Sequence, residues 1–467
     1  MQKLSTGALC RFDSGTPQFV RSCSQLPAKQ LFSILSNPPK EQRLESGNFS
    51  VRRFGAQSTG TGNETRSFQQ AIDTCNNSGG GTVIVPTGTY RIGAIRLCSN
   101  LNLHLAPGAK LIGSDNQDDY HDPAGPSLAP LIGGDQVENV SITGFGTIDG
   151  NGAPWQKKFR IWHHKHNGRG DALGIKEDRP ARPRCVRFLN CRNVTMQGIT
   201  IQNTPAWAAH LNACEDVVID GVRVYNPQDW LNSDGINPDG CKNVHFTNCH
   251  FSVGDDCIGL KAGTPLRKTP PCENITITNC TFATGHGAIV FGNEISAGFR
   301  NVVVSNCIFD GTYRGIRIKS KRGYGGGVQH AVFSNIVMRD VAYPIVLDSF
   351  NYDFDKDSIP ESADESTPRH RNLHYSNIQA YGAKKAAHFV GLPERNASNI
   401  LMQNVTIAAR TGMICRDIDG LICRQVNIAA ESGPPLECER CVNIDTEESL
   451  PVAEGIVDTY SGQYMDT

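Results

Sequence analysis

The chain has 467 residues and a formal net charge of −1, from 45 basic and 46 acidic side chains. This balance argues against nucleic acid as a partner, because phosphate binding normally shows as a basic excess. Hydrophobic residues make up 39% of the chain, which is ample for a core, and no apolar run approaches the ~18 residues that span a bilayer. We therefore predict neither a nucleic-acid nor a membrane partner, and we expect any anionic ligand to be held by a local cluster of cations.

The first 47 residues are rich in Ser, Pro, Gln and Lys and show no clear period. They contain no continuous apolar segment of the signal-peptide type. We predict a poorly ordered leader over residues 1–47 without a clear export signal, a single catalytic domain over 48–445 and a C-terminal tail over 446–467.

A short helix is predicted next. Residues 65–75 place Phe68, Ala71, Ile72 and Cys75 at helical spacing, and a run of Asn, Ser and Gly at 76–81 ends the helix. Residues 82–86 then indicate a strand. We expect this helix to cover the first coil of a stack of strands, because an open end exposes core and unpaired strand edges.

One sequence pattern recurs through most of the chain: an Asn or Asp followed by alternating apolar residues, a turn and a second short strand. Successive anchors at 193, 216, 243, 274 and 301 are 23, 27, 31 and 27 residues apart, and other copies start at 139, 372, 399 and 419. Short alternating strands with variable turns indicate a stacked β-solenoid. We predict an all-β parallel β-helix.

Two residue types recur within these repeats. Several anchor asparagines lie in Asn-x-Ser/Thr sequons, which are either glycosylation sites or turn residues whose side chains bond the backbone. The 17 cysteines are either a disulfide framework or small side chains stacked in the core. We favour the turn and the core interpretations, and the single CxxC at 438–441 is thin support for zinc.

Three stretches interrupt the repeat, at residues 151–184, 262–272 and 350–371. Long excursions from a solenoid commonly gather on one face and shape a binding groove. The first contains His163, His164 and His166. These three form either a metal site or a solvated or substrate-facing loop, and we favour the loop because spaced acidic or thiol partners are missing.

Three carboxylates follow one another at about one coil. Asp255 and Asp256 come 21 and 22 residues after Asp234, and adjacent strands lie about 4.8 Å apart. Glycoside hydrolysis with inversion uses one carboxylic acid and one carboxylate, about 6.5–9.5 Å apart. Closely grouped carboxylates also raise one another's pKa, which keeps an acid protonated near neutrality.

The side chains around these carboxylates need particular directions. Asp255 and Asp256 would point to opposite faces of a regular strand, but Gly254 permits a bend that aims both into one cleft. Arg317 and Lys319 are two residues apart and share a face, where they are able to hold a carboxylate.

In order, the motifs Asn232-Ser233-Asp234, Gly254-Asp255-Asp256, Gly285-His286-Gly287 and Arg317-Ile318-Lys319 resemble those of the polygalacturonase family of glycoside hydrolases, over most of residues 50–430. The resemblance implies a right-handed, single-stranded parallel β-helix. It also implies hydrolysis of α-1,4 bonds between galacturonic acid units, with inversion.

The resemblance also implies roles for individual residues. Asp255 is expected to be the proton donor, while Asp234 and Asp256 activate the water and His286 supports the protonation of the acid. Arg317 and Lys319 are expected to bind the galacturonate carboxylate. We further predict that the substrate contacts Asn232, Lys261 and His210, and that no metal or cofactor is needed.

The chain departs from the family pattern at three places. Ser233 stands where Thr is usual, Asn237 where Asp is common, and Gly292-Asn293 where Gly-Ser is usual. These changes bear on the substrate more than on the reaction. Residues 293–296 and the long loops resemble those of bacterial-type or exo-acting members, which implies exo action. Alternatives are a rhamnogalacturonan or other pectin hydrolase, a Ca²⁺-dependent pectate lyase and a glycan-binding solenoid. We expect a monomer that acts on pectic polysaccharide in an extracellular or periplasmic location.

Overall fold

The computed structural model describes residues 47–122, 127–168, 175, 177–351, 359–447 and 450–454. The predicted leader, apart from Gly47, lies outside the described residues, and the division into leader, catalytic domain and tail stays a prediction. No helix within the described ranges is long and apolar enough to cross a membrane.

The strands form a right-handed parallel β-helix, as predicted. Each strand pairs in parallel with its equivalents one coil earlier and one coil later, so the coils stack into three faces. The longest strands bend from one face into the next. Side chains alternate between the interior and the surface, and the interior is one continuous hydrophobic core.

The first face carries the repeat anchors, and the second face follows it in each coil. First-face strands are Gly47–Ser50, Gly81–Val85, Leu101–Leu105, Glu138–Gly144, Arg192–Gln197, Glu215–Asp220, Lys242–Thr247, Cys272–Thr278 and Val442–Asp445. Second-face strands are Thr59–Asn63, Gly88–Ile92, Ala109–Gly113, Thr147–Asp149, Thr200–Gln202, Arg223–Tyr225, His250–Ser252 and Thr281–Thr284. Strands that span more than one face are Phe299–Asp310, Val328–Arg339, Arg371–Val390, Ala397–Arg416 and Ile418–Glu439.

The third face carries the predicted site. Its strands are Ile95–Arg96, Ile132–Asp135, Val186–Leu189, Ala209–Asn212, Ile236–Asp239, Asp256–Leu260, Gly287–Phe291, Arg314–Lys319, Tyr343–Asp348 and Val452–Glu454. The motifs that are far apart in sequence thus lie on successive coils of this one face.

Helix α1, Thr65–Asn77, confirms the predicted helix. Its buried residues, Phe68, Ala71, Ile72 and Cys75, are the four that the spacing indicated, and they join the core of the solenoid. Two short 3₁₀ helices also occur, Val51–Phe54 and Gln117–Tyr120.

The anchor asparagines form a ladder along the first face. Asn274 donates from its side chain to Asn243 at 2.9 Å and accepts from Asn301 at 3.0 Å. All three have φ between 55° and 58°, a left-handed conformation that Asn tolerates better than most residues. The asparagines thus have a structural role, but the predicted partner was wrong, because their side chains bond one another across coils and not the backbone.

The cysteines between Cys75 and Cys441 are free, and most are buried. They occupy repeated positions, where the Cys241 thiol donates to Leu211 O at 3.2 Å and the Cys272 sulfur accepts from Cys241 N at 3.3 Å. The core interpretation is therefore confirmed for these residues.

The first insertion contains a helix that the sequence analysis did not predict. Helix α2, Ala153–Lys165, includes His163 and His164, and His166 caps its end, so the loop interpretation of these histidines was wrong. Trp155, Phe159 and Trp162 form its buried side. Their spacing of four and three residues is a helical signal that the histidines and lysines around them obscured.

Candidate active site

Register places the first and third carboxylates side by side. Ala209 pairs with Ile236, and Ile236 pairs with Ile258 on the next coil. Counting back two residues aligns Asp234 with Asp256, and the bond from Gly235 N to Asp256 O, at 2.9 Å, shows that pairing continues to this point.

Asp255 reaches the same cleft because the chain bends just before its strand begins at Asp256. Gly254 makes this bend possible: a Cβ there would lie only 2.5 Å from Trp230 O, and its N–H donates to Ser233 Oγ at 3.2 Å. The prediction that both aspartates face one cleft is confirmed.

One carboxylate oxygen from each of Asp234, Asp255 and Asp256 lies within 4.8 Å of the other two. This separation is shorter than the range of about 6.5–9.5 Å expected for an inverting pair. That range refers to whole carboxyl groups, whereas the 4.8 Å joins one oxygen of each residue, so the inverting assignment stays a prediction.

Asn237 fixes the orientation of Asp234. Its Nδ2 donates to Asp234 Oδ2 at 3.0 Å, and its Oδ1 accepts from Gly259 N at 3.1 Å. Asn237 is fully buried. The position noted as a departure from the family pattern therefore holds one of the carboxylates in place.

Two cations face the other carboxylates. His286 Nδ1 lies 3.3 Å from Asp255 Oδ1, and Lys319 Nζ donates to Asp256 Oδ2 at 3.0 Å. Both Lys319 and Asp256 are buried. The charges at the centre of the site are thus paired directly.

The surroundings shift the pKa values of Asp234 and Asp255 in opposite directions. Burial and the charge of Asp255 raise the pKa of Asp234 to about 8, although Lys261 opposes the shift. Burial also raises the pKa of Asp255, but His286, Lys319 and Lys261 outweigh it and hold that pKa well below its usual range. In the free protein, a proton shared by the cluster therefore lies on Asp234.

His286 takes its charge from the same pair. Burial lowers the pKa of its imidazole, but Asp255 beside it reverses this effect and raises the pKa above the ordinary value. Asp255 thus favours the protonated form of His286, and His286 in turn favours the ionised form of Asp255, which differs from the expectation that His286 supports a protonated acid.

Arg317 and Lys319 share the outer side of their strand, as predicted, because Ile316 and Ile318 enter the core. The strand pairs with that of Asp256 through the Gly287–Phe291 strand. Both cations are buried below 10% exposure, so their charges act in a region of low solvent screening.

The other predicted substrate contacts have partners within the protein. Lys261 Nζ donates to Gly292 O at 3.2 Å and lies 3.5 Å from Glu294. Its charge acts on all three catalytic-site aspartates. Lys261 therefore belongs to the electrostatic surroundings of the cluster.

His210 and Asn232 also have partners within the protein. His210 Nε2 lies 3.1 Å from Asp239, and burial lowers the pKa of His210 to about 4, so the ring is neutral at neutral pH. Asn232 Oδ1 accepts from Arg182 at 2.7 Å. Contact of either residue with a substrate stays a prediction.

Comparison with known families decides what kind of protein carries this site. The model of glycosyl hydrolases family 28 matches residues 75–427. The chain belongs to this family. The predicted family is thereby confirmed, and the protein is a glycoside hydrolase.

Plant and bacterial proteins are among the relatives that the chain resembles. A polygalacturonase of Persea americana is 30% identical over 73% of the chain and 69% of its own length. An exo-poly-alpha-D-galacturonosidase of Dickeya chrysanthemi is 27% identical over 65% of the chain and 57% of its length. The exopolygalacturonase structure from Thermotoga maritima aligns with a TM-score of 0.71 and 25% identity, over 83% of the chain and 92% of its own.

Four residues around this site were not predicted from the sequence: Gln156, Arg182, Arg184 and Trp207. Gln156 Nε2 donates to Leu231 O at 2.9 Å, and Gln156 Oε1 accepts from Leu231 N at 3.2 Å. Arg182 bonds the same carbonyl at 2.9 Å. The insertion therefore supports the loop that leads to Asp234, and no local sequence signal indicates contacts 49 to 75 residues apart.

The three aspartates are the one group of acidic, histidine or thiol side chains with metal-binding spacing in the described parts of the chain. Lys319 already donates to Asp256, and Lys261 adds a second positive charge to the cluster. A divalent cation placed there would be repelled by both ammonium groups. The site chemistry therefore favours acid–base catalysis over cation binding.

Proposed function

We propose that this protein hydrolyses α-1,4-galacturonosidic bonds of polygalacturonate or pectin. The observation that carries the proposal is the cluster of three carboxylates, which have one oxygen each within 4.8 Å of one another, with Arg317 and Lys319 two coils beyond Asp256. Glycoside hydrolysis uses an acid and a base supplied by neighbouring carboxyl groups, and the two buried cations suit the carboxylate of a uronic acid.

Substrate binding sets the proton positions for the reaction. In the free protein, Lys319 and His286 hold the pKa of Asp255 low. A sugar carboxylate bound by Arg317 and Lys319 neutralises part of that positive charge, so the pKa of Asp255 rises. The proton of Asp234 then moves to Asp255, which becomes the acid, and Asp234 becomes a base.

The bond is then cleaved by water. Asp255 protonates the glycosidic oxygen as the bond to the anomeric carbon breaks, and a water held by Asp234 and Asp256 attacks that carbon. The proton of the water passes to these carboxylates. Attack by water in a single step would give inversion, and proton NMR of the first anomer released tests this assignment.

Exo action is the proposed mode. Support comes from the exo-poly-alpha-D-galacturonosidase and exopolygalacturonase relatives, although an endo-polygalacturonase of Pectobacterium carotovorum is also 28% identical. Because pectin is a large polymer of the cell wall, we place the activity in an extracellular or periplasmic location.

Product analysis on polygalacturonate, with and without a calcium chelator, tests the function. We expect chelator-insensitive release of saturated galacturonate, mostly as monomer. Mixed oligomers would mean internal attack. Unsaturated products lost on chelation would mean a lyase, and binding without cleavage a glycan-binding solenoid. Products from rhamnogalacturonan alone would move the substrate assignment within the pectins.

Asp255→Asn tests the acid assignment. We expect a loss of at least about 10²- to 10⁴-fold in kcat, the range for removal of a general acid. Asp73→Asn is the matched control, because Asp73 is exposed on helix α1. Turnover that survives in Asp255→Asn, with the control unchanged, contradicts the assignment.

A further inference from the structure

Arg184 is a cation whose charge interacts with that of Asp234 in the active site. No carboxylate of the described residues forms an ion pair with it, and its buried Nε has no hydrogen-bond partner. Nearby Arg187, in contrast, lies 3.3 Å from Asp122. Burial lowers the pKa of Arg184 to about 10, and the charges of Asp234 and Asp239 offset this only in part, so an anion in direct contact would stabilise the guanidinium.

The position of Arg184 in the fold points to the site. Val186 pairs with Ala209, and Ala209 with Ile236. Counting back two residues aligns Arg184, Trp207 and Asp234 on three successive coils. Coils lie about 4.8 Å apart, so Arg184 lies roughly 10 Å along the solenoid axis from Asp234.

Trp207 holds Arg184 in this position. The guanidinium carbon of Arg184 lies 4.7 Å from the centre of the indole, and Lys261 Nζ lies 5.4 Å from it. His210 packs edge-on against the same indole at 5.0 Å. An aromatic ring stabilises neighbouring cations without neutralising them, so the charge of Arg184 remains available.

We propose that Arg184 binds the carboxylate of a second uronic acid unit, about two coils from the cleaved bond, and that Trp207 is its positioning residue. This subsite rests on the proposed function. It differs from the site at Arg317 and Lys319 because it lies on the opposite side of Asp234 along the axis. A substrate chain would then run along the third face and present one carboxylate to each cationic group.

The test combines kinetics with binding across chain lengths. Arg184→Gln should raise KM for polygalacturonate and for tetragalacturonate roughly 10- to 100-fold, the loss expected for a charge-assisted bond. Digalacturonate, which spans only the cleaved bond, should be unaffected, and kcat should change little. Arg184→Lys, which keeps the charge, should recover part of the affinity. Trp207→Ala should weaken binding in the same chain-length-dependent way.

Arg300→Gln is the matched control, because Arg300 lies on the first face and pairs with Glu273. The same charge change there should leave KM unchanged, and an equal rise in KM would overturn the subsite by showing a long-range charge effect. Calorimetry of tetragalacturonate with Asp255→Asn and with Asp255→Asn/Arg184→Gln measures affinity without turnover. Equal affinities, with an active wild type, overturn the subsite alone. Absence of both cleavage and binding by the wild type overturns the proposed function as well.

Discussion

Asn237 donates to Asp234 across 3.0 Å while accepting the N–H of Gly259 from the next coil. One side chain thus joins a reacting carboxylate to the backbone of the strand beside it. Asn237→Ala should lower kcat at least about tenfold and the free energy of unfolding by about 1–3 kcal/mol, because a buried donor and a buried acceptor lose their partner. Steady-state kinetics and urea unfolding measure the two effects.

Asn237→Asp separates the two roles of that side chain. A carboxyl group keeps the bond to Gly259 but must be protonated to donate to Asp234. Activity should therefore persist near pH 5 and fall as the pH rises. A pH profile identical to that of the wild type would contradict this account.

The raised pKa of Asp234 predicts how stability depends on pH. The folded-state value of about 8 exceeds the unfolded value of about 3.9, so between these values the folded protein binds more protons. Stability then falls as the pH rises from about 4 to about 8. Asp234→Asn should make stability depend less on pH. Calorimetry should then show that the substitution raises Tm more at pH 8 than at pH 5. An unchanged slope would place the proton elsewhere.

The asparagine ladder predicts different outcomes for two substitutions at one site. Asn274 has φ of 57° and bonds to Asn243 and Asn301. Asn274→Gly keeps the backbone conformation and loses the bonds, whereas Asn274→Ala also strains the backbone. We expect both variants to be less stable, with alanine worse by about 1 kcal/mol. Equal unfolding midpoints would remove the conformational part of the argument.

Gln156 allows a test of the support that helix α2 gives to the site. It bonds Pro205 O and both backbone groups of Leu231. Gln156→Ala should lower kcat several-fold, since the loop that leads to Asp234 loses its support. Gln69→Ala is the matched control, because Gln69 makes similar bonds to Arg96 from helix α1. If Gln69→Ala lowered kcat by the same factor, this would contradict the explanation that Gln156 acts through the loop that leads to Asp234.

The repeat made much of this fold predictable. Anchors such as Asn193 and Asn243 recur at coil spacing, and that spacing alone brought Asp234 near Asp255 and Asp256. Which carboxylate has the raised pKa was not predictable, because it depends on burial and on the distances from Asp255 to His286 and Lys319 across coils. Repeat spacing predicts which residues lie side by side, but it does not predict how their charges shift one another's pKa.

Helix α2 shows a second limit. Its buried residues Phe159 and Trp162 had the required spacing, yet the surrounding histidines suggested a polar loop. Its contacts with Leu231 join segments 75 residues apart, and nothing local in the sequence specifies such a contact. The carboxylates of the site were therefore predictable from the sequence, whereas the helix contacts that support them were not.

The site is distributed over successive coils, from Arg184 to Lys319, and this has an evolutionary consequence. Each coil contacts mainly its immediate neighbours, so duplication or loss of a whole coil outside this interval leaves every reacting group beside its partner. The same event between Asp234 and Lys319 would keep the core continuous but change the distances between reacting groups. During evolution, coils are thus free to be gained or lost at either end of the solenoid. The number of coils between Asp234 and Lys319, in contrast, is fixed.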